Sequence, residues 1–502
     1  MRPLPPRPEN LSSDKGPHGP LFFEGFSRLR GDASLSVVAS LARGRGLPLY
    51  LVGGVVRNIF LNDVLPNDLD FICGGETPGF AEEVARRLGG TAFMLDKKNG
   101  LYRVAVKEKQ RTLTMDFLPL RFPRLADDLL QRDFTLNAMA IPLDSLYAAD
   151  FSPSASLIDP LGGLLDCEKK VLRLVSAGAL KEDPLRCLRA VRLQERYGLS
   201  MDRDTRALIK EQAHLIVEKP VSRERIRDEL SLMFHAHGTA VAITELLELG
   251  LFGAAMPLLA DLAGTDFSAH TGSALKTLNE TDKIILEIEE GAFACRPLEM
   301  RSCLEAGTEV PSVTATLKLA AFFYDITAVS AEAPGNPEGS EDKCPHASVP
   351  TVLKGLLFGN KTVRMVKGLL GAMERFLRMP PEVCGRPAAA ALFFDKLKEE
   401  AGTAAPLFPV LAEASARLGS VPYNGRHEAV MAMTEFYFDT YLSSPHPPFF
   451  TGEEIIAAFN LSEGERVGQV KLMLEEALLT GVVSDKKEAA AYIKKRILER
   501  WG

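Results

Sequence analysis

Leu51-Val52-Gly53-Gly54-Val55-Val56-Arg57, followed by Asp68-Leu69-Asp70, is the stretch on which the reading of this chain turns. Residues 46–52 (Gly-Leu-Pro-Leu-Tyr-Leu-Val) predict a short buried strand, and residues 55–62 (Val-Val-Arg-Asn-Ile-Phe-Leu-Asn) predict a turn or two of helix. Gly53-Gly54 falls at the join. With no side chains there, a ligand can approach the backbone, and the free N–H groups of the following helix favour an anion such as a triphosphate. Asp68 and Asp70 lie two apart on a run ending Phe71-Ile72. In a strand both carboxylates point to one face, roughly 7 Å apart at the backbone, a spacing from which they can converge on one or two magnesium ions. Taken singly, a glycine pair after a strand is a tight turn, and an Asp-x-Asp is a solvated strand face. Their order and nearness bring the functional reading level with the structural one.

Composition sets the frame. The 502 residues allow two to four domains, and a hydrophobic fraction of 46% with 25% charged residues is that of an ordinary globular protein. No uncharged apolar stretch reaches the about 18 residues of a membrane span. The proline-rich segment 1–20 has no apolar core and is expected to be disordered. Seven cysteines without a C-x-x-C pair argue for a reducing, cytoplasmic compartment and against a structural zinc site. A net charge of −7 excludes nucleic-acid binding by bulk charge, so any RNA contact needs a local basic surface.

Residues 21–150 mix strands with helices in an α/β module. Leu101 to Val106 and Arg111 to Leu118 alternate as strands, the second carrying Asp116, and residues 80–88 predict a helix. From about residue 180 helical patterns dominate. Residues 328–350 carry loop chemistry and predict an exposed, mobile connection.

Further clusters follow the first. In Gln131-Arg132-Asp133-Phe134-Thr135-Leu136-Asn137-Ala138-Met139-Ala140, an Arg-Asp pair beside a triphosphate could hold a ribose, Asp accepting from the 2′-hydroxyl. The run Ile158-Asp159-Pro160-Leu161-Gly162-Gly163-Leu164-Leu165-Asp166 is turn chemistry and reads as structural. In Glu182-Asp183-Pro184-Leu185-Arg186, Pro184 suits a first helical position and makes Asp183 a natural N-cap. Asp183 and Arg186 also share a helix face. A carboxylate beside a guanidinium matches cytosine and adenine, which offer an amino donor next to a ring-nitrogen acceptor. Uracil and guanine would meet like with like, and such sites can discriminate by roughly 10⁴-fold. Arg186, Arg189, Arg192 and Arg196 recur at helical spacing, and Arg223-Glu224-Arg225-Ile226-Arg227 follows. These read either as solvated helix faces or as a wall for nucleotide phosphates and an RNA 3′ end.

Together the clusters resemble the class II tRNA nucleotidyltransferase (CCA-adding enzyme) and bacterial poly(A) polymerase family, with motifs in family order. Leu51 to Asp70 resembles the metal and phosphate motif, Arg132-Asp133-Phe134-Thr135 the ribose motif, and Asp159 to Asp166 the hinge motif. Glu182 to Arg186 resembles the amino-acid template, and Val221-Ser222-Arg223-Glu224-Arg225-Ile226 the last neck motif. The resemblance implies an α+β fold: a polymerase-β-like head of mixed sheet over 21–150, a helical neck over 151–265, and a helical body and tail over 266–502 with a degenerate HD-like region. Two departures stand out: Gln131 replaces the usual first arginine of the ribose motif, and Asn58 replaces an Asp. In the HD-like region His270 holds a plausible ligand position, but Tyr324 precedes Asp325 where a histidine is usual, so no phosphohydrolase activity is expected.

The implied reaction is template-independent transfer of C or A from CTP or ATP to an RNA 3′ end, with two Mg²⁺ ions. Asp68 and Asp70 are the expected metal ligands, Asp116 a third carboxylate, Gly53, Gly54 and Arg57 the triphosphate site, and Arg132 and Asp133 the ribose site. Asp183 and Arg186 are expected to select the base, and Arg189, Arg192 and Arg225 to contact RNA or phosphate. CCA addition to tRNA, poly(A) synthesis, CC-only or A-only addition, and an inactive RNA-binding homologue all remain open at this point. The acidic balance mildly favours a tRNA-shaped substrate; neither DNA nor a membrane is expected as a partner.

Overall fold

The computed structural model describes residues 20–61, 66–108, 112–219, 221–262, 267–305, 311–329, 348–419, 425–443, 450–461 and 464–501. The expected N-terminal segment falls almost wholly outside them. Contacts divide the chain at Leu215/Ile216, within the expected neck, into two units.

The first unit opens with helices α1 (Pro20–Gly31) and α2 (Ala33–Gly44), the second capped by Asp32, which accepts from the Leu35 N–H at 2.9 Å. Strand β1 (Leu49–Val52) starts later than the expected 46, because Gly46, at φ +60°, turns the chain after α2. Helix α3 (Gly54–Leu61), β2 (Asp68–Cys73), α4 (Pro78–Leu88), β3 (Thr91–Asp96), β4 (Leu101–Lys107), β5 (Thr112–Pro119), α5 (Leu125–Leu129) and β6 (Ala140–Pro142) follow. Of the expected helix and strand, Asn62 and Arg111 lie outside the described residues.

The six strands form one mixed sheet in the order β3-β4-β5-β2-β1-β6. Only β2 and β5 run parallel; the other neighbours are antiparallel. Alternation gives the sheet two different faces. On one, Leu69, Phe71, Val104, Met115 and Phe117 are buried. Phe71 and Phe117 stack with ring centres 5.0 Å apart, and Phe80 of α4 meets Phe117 edge-on at 5.5 Å. Each buried ring contributes about 1.5–3 kcal/mol. Their burial also enforces the register, since a one-residue slip would bury carboxylates instead. The other face carries Phe93, Arg103, Asp116 and Asp70 in one cross-strand row.

Short elements complete this unit: α6 (Leu143–Leu146), α7 (Pro153–Ser156), α8 (Gly163–Glu168), β7 (Val171–Leu172), α9 (Ala179–Glu182), α10 (Arg186–Tyr197), β8 (Ser200–Met201) and α11 (Arg203–Gln212). The parallel pair β7–β8 extends strand structure past residue 180, which the sequence reading did not foresee. Asp159 accepts from the Gly163 and Leu164 N–H groups at 2.8 and 2.9 Å and so caps α8, in line with its reading as turn chemistry. A Cβ on Gly163 would fall 2.2 Å from the Thr135 carbonyl oxygen, so only glycine lets α8 pack directly on that segment.

The second unit is helical. Its buried polar centre is Lys318, on the helix Val313–Val329, which is fully buried and ion-paired with Asp282 of the helix Phe267–Glu289. Lys318 also donates to the Ala236 carbonyl at 2.6 Å. Asp282 accepts from the Gly238 and Thr239 N–H groups at 3.0 and 3.1 Å, at the start of the helix Thr239–Glu248. Tyr324 is buried, and the neighbouring Asp325 carboxylate takes the Thr277 hydroxyl; burial raises the pKa of both. The His270 side chain lies outside the described residues. Of the expected connection 328–350, helix continues to Val329 and resumes at Val349, and 330–347 lie outside the described residues. Among the described residues no helix is long and apolar enough to cross a membrane.

Removing one member of a buried ion pair leaves the other charge unpaired, at a cost of about 3–5 kcal/mol. Lys318→Ala is therefore expected to lower the stability of the second unit by about that amount in urea denaturation.

Candidate functional site

Gly53 is the point of closest approach. It adopts φ +75°, and a Cβ there would lie 2.8 Å from Asp70 Oδ2 and 2.9 Å from Arg132 Nη1. Bare backbone thus faces a carboxylate from β2 and a guanidinium from the loop after α5. The first-turn N–H groups of α3 begin at the same place, where helix geometry leaves them without carbonyl partners.

Asp70 is partly buried, opposite Val52 on one side and Asp116 on the other. Burial raises its pKa; the charge of Arg132 opposes this, and Asp116 and Asp68 add to it. Asp68 is exposed and accepts from the Thr114 hydroxyl. Asp116, expected as a third metal carboxylate, is clasped by Arg103, whose Nε and Nη2 donate to its two oxygens at 2.6 and 2.7 Å. Its place in the row is as expected; its partner is a cation on β4. Among the described residues no group of three or more His, Cys, Asp or Glu side chains is arranged to hold a metal ion. The pair Asp68 and Asp70, all-oxygen and mutually repulsive, still fits a hard divalent cation that takes its remaining ligands from water and phosphate.

Arg132 and Asp133 sit side by side with unmet hydrogen-bonding capacity. Asp133 Oδ1 is saturated, accepting from the Phe134 N–H at 2.8 Å and from Asn137 Nδ2 at 2.9 Å. Its Oδ2 lies 3.2 Å from Arg189 Nη2 yet is buried without a hydrogen bond, and so is Arg132 Nε. Burial would raise the Asp133 pKa, but Arg189, Asn137 and the Phe134 N–H outweigh it and hold the group below its ordinary value. Burial lowers the Arg132 pKa, against the raising effect of Asp70 and Asp133. A buried acceptor and a buried donor without hydrogen bonds thus lie next to each other in the chain, and both have capacity for a polar ligand or water.

Arg57, expected on the triphosphate, is anchored by side chains of the protein. Its Nη1 donates to Asn137 Oδ1 at 2.8 Å, its Nη2 to Asn58 Oδ1 at 2.8 Å and Tyr197 Oη at 2.7 Å, and its Nε to Asn58 Oδ1 at 3.2 Å. The guanidinium lies 4.6 Å from the centre of the Tyr197 ring. The same guanidinium lies against the glycine turn, where a Cβ on Gly54 would fall 3.5 Å from Arg57 Nη2.

The regular part of α10 opens at Arg186, not at Pro184. Its N-cap is Leu185 rather than the expected Asp183, whose Oδ1 accepts from the Leu185 N–H at 3.2 Å in the turn before the helix. Arg186 donates to the carbonyls of Gln131 (2.9 Å), Arg132 (3.3 Å) and Ala179 (3.1 Å). The segment after α5 is therefore held directly by the guanidinium expected to select the base. Of the other arginines, Arg189 pairs with Asp133, Arg192 faces Arg57 as a like charge, and Arg196 lies over Tyr197 at 5.3 Å. In the second unit, Arg223 and Arg227 donate to the Gly355 and Leu357 carbonyls, and Arg225 follows the Ser222 cap.

Sequence reasoning missed Asn137, Tyr197 and Arg103. Asn137 carried a signal, one helical turn beyond Asp133 in the same motif. Tyr197 and Arg103 carried none, since only tertiary packing brings them to Arg57 and only strand register brings Arg103 to Asp116.

Comparison with known proteins shows the family. The family description "Poly A polymerase head domain" matches residues 49–173, and "Probable RNA and SrmB- binding site of polymerase A" matches residues 198–262. The chain is 30% identical over 469 residues to the CC-adding tRNA nucleotidyltransferase of Geobacter sulfurreducens, covering 92% of this chain and 95% of that one. It is 29% identical to the A-adding tRNA nucleotidyltransferase of Deinococcus radiodurans, covering 89% and 94%. Among solved structures, a CCA-adding enzyme complexed with ATP aligns with TM-score 0.59 at 19% identity, covering 95% of this chain and 98% of that one. The Thermotoga maritima CCA-adding enzyme complexed with tRNA aligns with TM-score 0.55 at 19% identity over the same shares. At that identity the structures establish the fold, a mixed-sheet head followed by helices.

A methyl group at Gly53 would enter the space between Asp70 and Arg132 at a backbone conformation that disfavours any side chain. Gly53→Ala is expected to cut nucleotide transfer by about 100-fold, the scale of a small misplacement of reacting groups. Its circular dichroism spectrum should match that of the wild type.

Proposed function

The chain belongs to the family of tRNA nucleotidyltransferases and poly(A) polymerases, and we propose that it adds C and/or A nucleotides from CTP and ATP to the 3′ end of tRNA. The observation that carries the reading is that Arg132 Nε and Asp133 Oδ2 are both buried without a hydrogen bond, with the Arg132 guanidinium beside the bare backbone of Gly53. A nucleotide supplies both missing partners: a ribose hydroxyl for Asp133 Oδ2 and a phosphate oxygen for Arg132.

In the proposed reaction Gly53, Gly54 and the α3 N–H groups hold the triphosphate, with Arg132 as the cation beside it. Arg57 braces Asn137 and through it Asp133. The RNA 3′-oxygen bonds to the α-phosphorus, the bond from that phosphorus to the bridging oxygen breaks, and pyrophosphate leaves. With both Asp116 oxygens engaged by Arg103, the hydroxyl proton passes to water. Mg²⁺ bound by Asp68 and Asp70 would lower the pKa of the 3′-hydroxyl and offset charge on the leaving pyrophosphate. Asp183 and Arg186 read the base edge, and the bonds from Arg186 to the Gln131 and Arg132 carbonyls tie base choice to ribose position.

The relatives matched over most of their length are named CC-adding and A-adding. Addition of only part of the CCA end is therefore a second reading beside full CCA addition.

Incubation with tRNA transcripts ending at the discriminator base, at C and at CC, each with labelled CTP or ATP, tests this. CTP incorporation without ATP incorporation identifies CC addition, the reverse identifies A addition where one residue is added and poly(A) synthesis where many are, and neither with any transcript sinks the enzyme reading. Asp70→Ala should abolish transfer of every nucleotide. Asp183→Ala should mainly lose discrimination against UTP and GTP, which sites of this kind supply at up to roughly 10⁴-fold; intact selectivity would reduce Asp183 to a turn residue.

A further inference from the structure

The cross-strand row on the carboxylate-bearing face of the sheet, buried at Val52 and exposed at Phe93, has a direction. It runs from Val52, beside the Gly53 turn, through Asp70 on β2, Asp116 on β5 and Arg103 on β4 to Phe93 on β3. Phosphoryl transfer requires the attacking and leaving oxygens roughly in line on opposite sides of the phosphorus. On the proposed function, the leaving pyrophosphate lies over the Gly53 turn, at the β1 side of Asp70. The attacking 3′-oxygen must then arrive from the β5 side, and the RNA behind it must cross β4 and β3.

That path is furnished for a nucleic acid. Phe93 is 43% exposed, and its ring has no aromatic partner among the described residues. Strand spacing of about 4.8 Å puts it about 10 Å from Asp116 and about 14 Å from Asp70 along the row, within reach of the last unpaired nucleotides of an RNA end. Arg103, between Phe93 and Asp116, keeps its side chain about one-third exposed (31%) while clasping Asp116. Lys97 and Lys98 are exposed on the turn that joins β3 to β4. An exposed ring flanked by cations is the arrangement on which single-stranded bases stack while their phosphates are neutralised.

We propose that Phe93 is a stacking platform for an unpaired nucleotide near the RNA 3′ end, with Arg103 contacting its phosphate backbone, so that the outer strands β3 and β4 form the primer side of the site. This assigns Arg103 two tasks: holding Asp116 and meeting the incoming strand. It also accounts for an apolar ring left exposed beside a row of charges. The inference rests on the proposed function only for the direction of approach.

The test measures binding and turnover separately in the full-length protein. Filter binding of a tRNA transcript without its CCA end, in the absence of nucleotide, gives Kd; steady-state kinetics give KM for tRNA and for CTP or ATP. Phe93→Ala is expected to raise both Kd and KM for tRNA by about 5- to 100-fold, the range for loss of one base-aromatic stack. KM for the nucleotide should be unchanged, and Phe93→Trp should restore wild-type values. Met94→Ala, which removes a comparably exposed side chain (48%) from the opposite face, should leave all of them unchanged.

Unchanged tRNA binding in Phe93→Ala, equal losses in Met94→Ala, or parallel losses in tRNA and nucleotide KM would overturn the platform. So would a change in sedimentation of Phe93→Ala without RNA, which would make β3 a contact between two copies of the chain. Because Kd needs no turnover, a wild type that binds tRNA but transfers nothing would fail the enzyme reading alone.

Discussion

The structure of the candidate site depends on how close Gly53 brings its backbone to two opposite charges. The left-handed turn at that residue lets β1 end against Asp70 while α3 begins, and leaves Arg132 in contact range of the same atom. Any side chain would separate the carboxylate from the guanidinium and close the approach to the α3 N–H groups. The register of β2 follows from the same requirement. Phe71 must enter the core beside Phe117 for Asp70 to face the turn, so packing on one side of the sheet positions chemistry on the other.

What could be read in the sequence was what lies within one element. The Gly-Gly turn, the shared face of Asp68 and Asp70, and the α/β character of the first 150 residues all follow from local spacing, and the structure contains them. The partners of charged side chains were not legible in this way. Nothing near Asp116 in the chain announces Arg103; only the antiparallel register of β4 and β5 does. The acceptors that anchor Arg57, Asn137 and Tyr197, come from distant segments. Lys318, inside an apolar helix, gave no hint of the Asp282 carboxylate that makes its burial tolerable.

The two departures from the family pattern also acquire a physical sense. Gln131 replaces an arginine, yet what the structure uses at that position is a main-chain carbonyl, which accepts from Arg186 and is indifferent to the side chain. At Asn58 the change is from a charge to a neutral amide. Its oxygen still takes two nitrogens of Arg57 and the Tyr197 hydroxyl. A carboxylate there would compete for Arg57 electrostatically, and Arg57 also binds the amide of Asn137 that aligns Asp133. With a neutral residue at 58, the full carboxylate acting on Arg57 through space is Asp133, which raises its pKa against burial.

A chain of contacts results: Tyr197 and Asn58 hold Arg57, Arg57 holds Asn137, Asn137 and Arg189 hold Asp133, and Arg186 holds the carbonyls just before it. Each link is buried or partly buried, where hydrogen bonds to ionised groups are stronger than in water. The consequence is that Asp133 Oδ2 is fixed in direction by bonds to its sister oxygen while itself making no hydrogen bond. A carboxylate free to rotate could satisfy both oxygens within the protein and offer neither to a ligand. Restraining Oδ1 twice leaves Oδ2, which faces Arg189 at 3.2 Å, without a hydrogen bond of its own, so the ribose acceptor is preorganised by Asn137 and the Phe134 N–H.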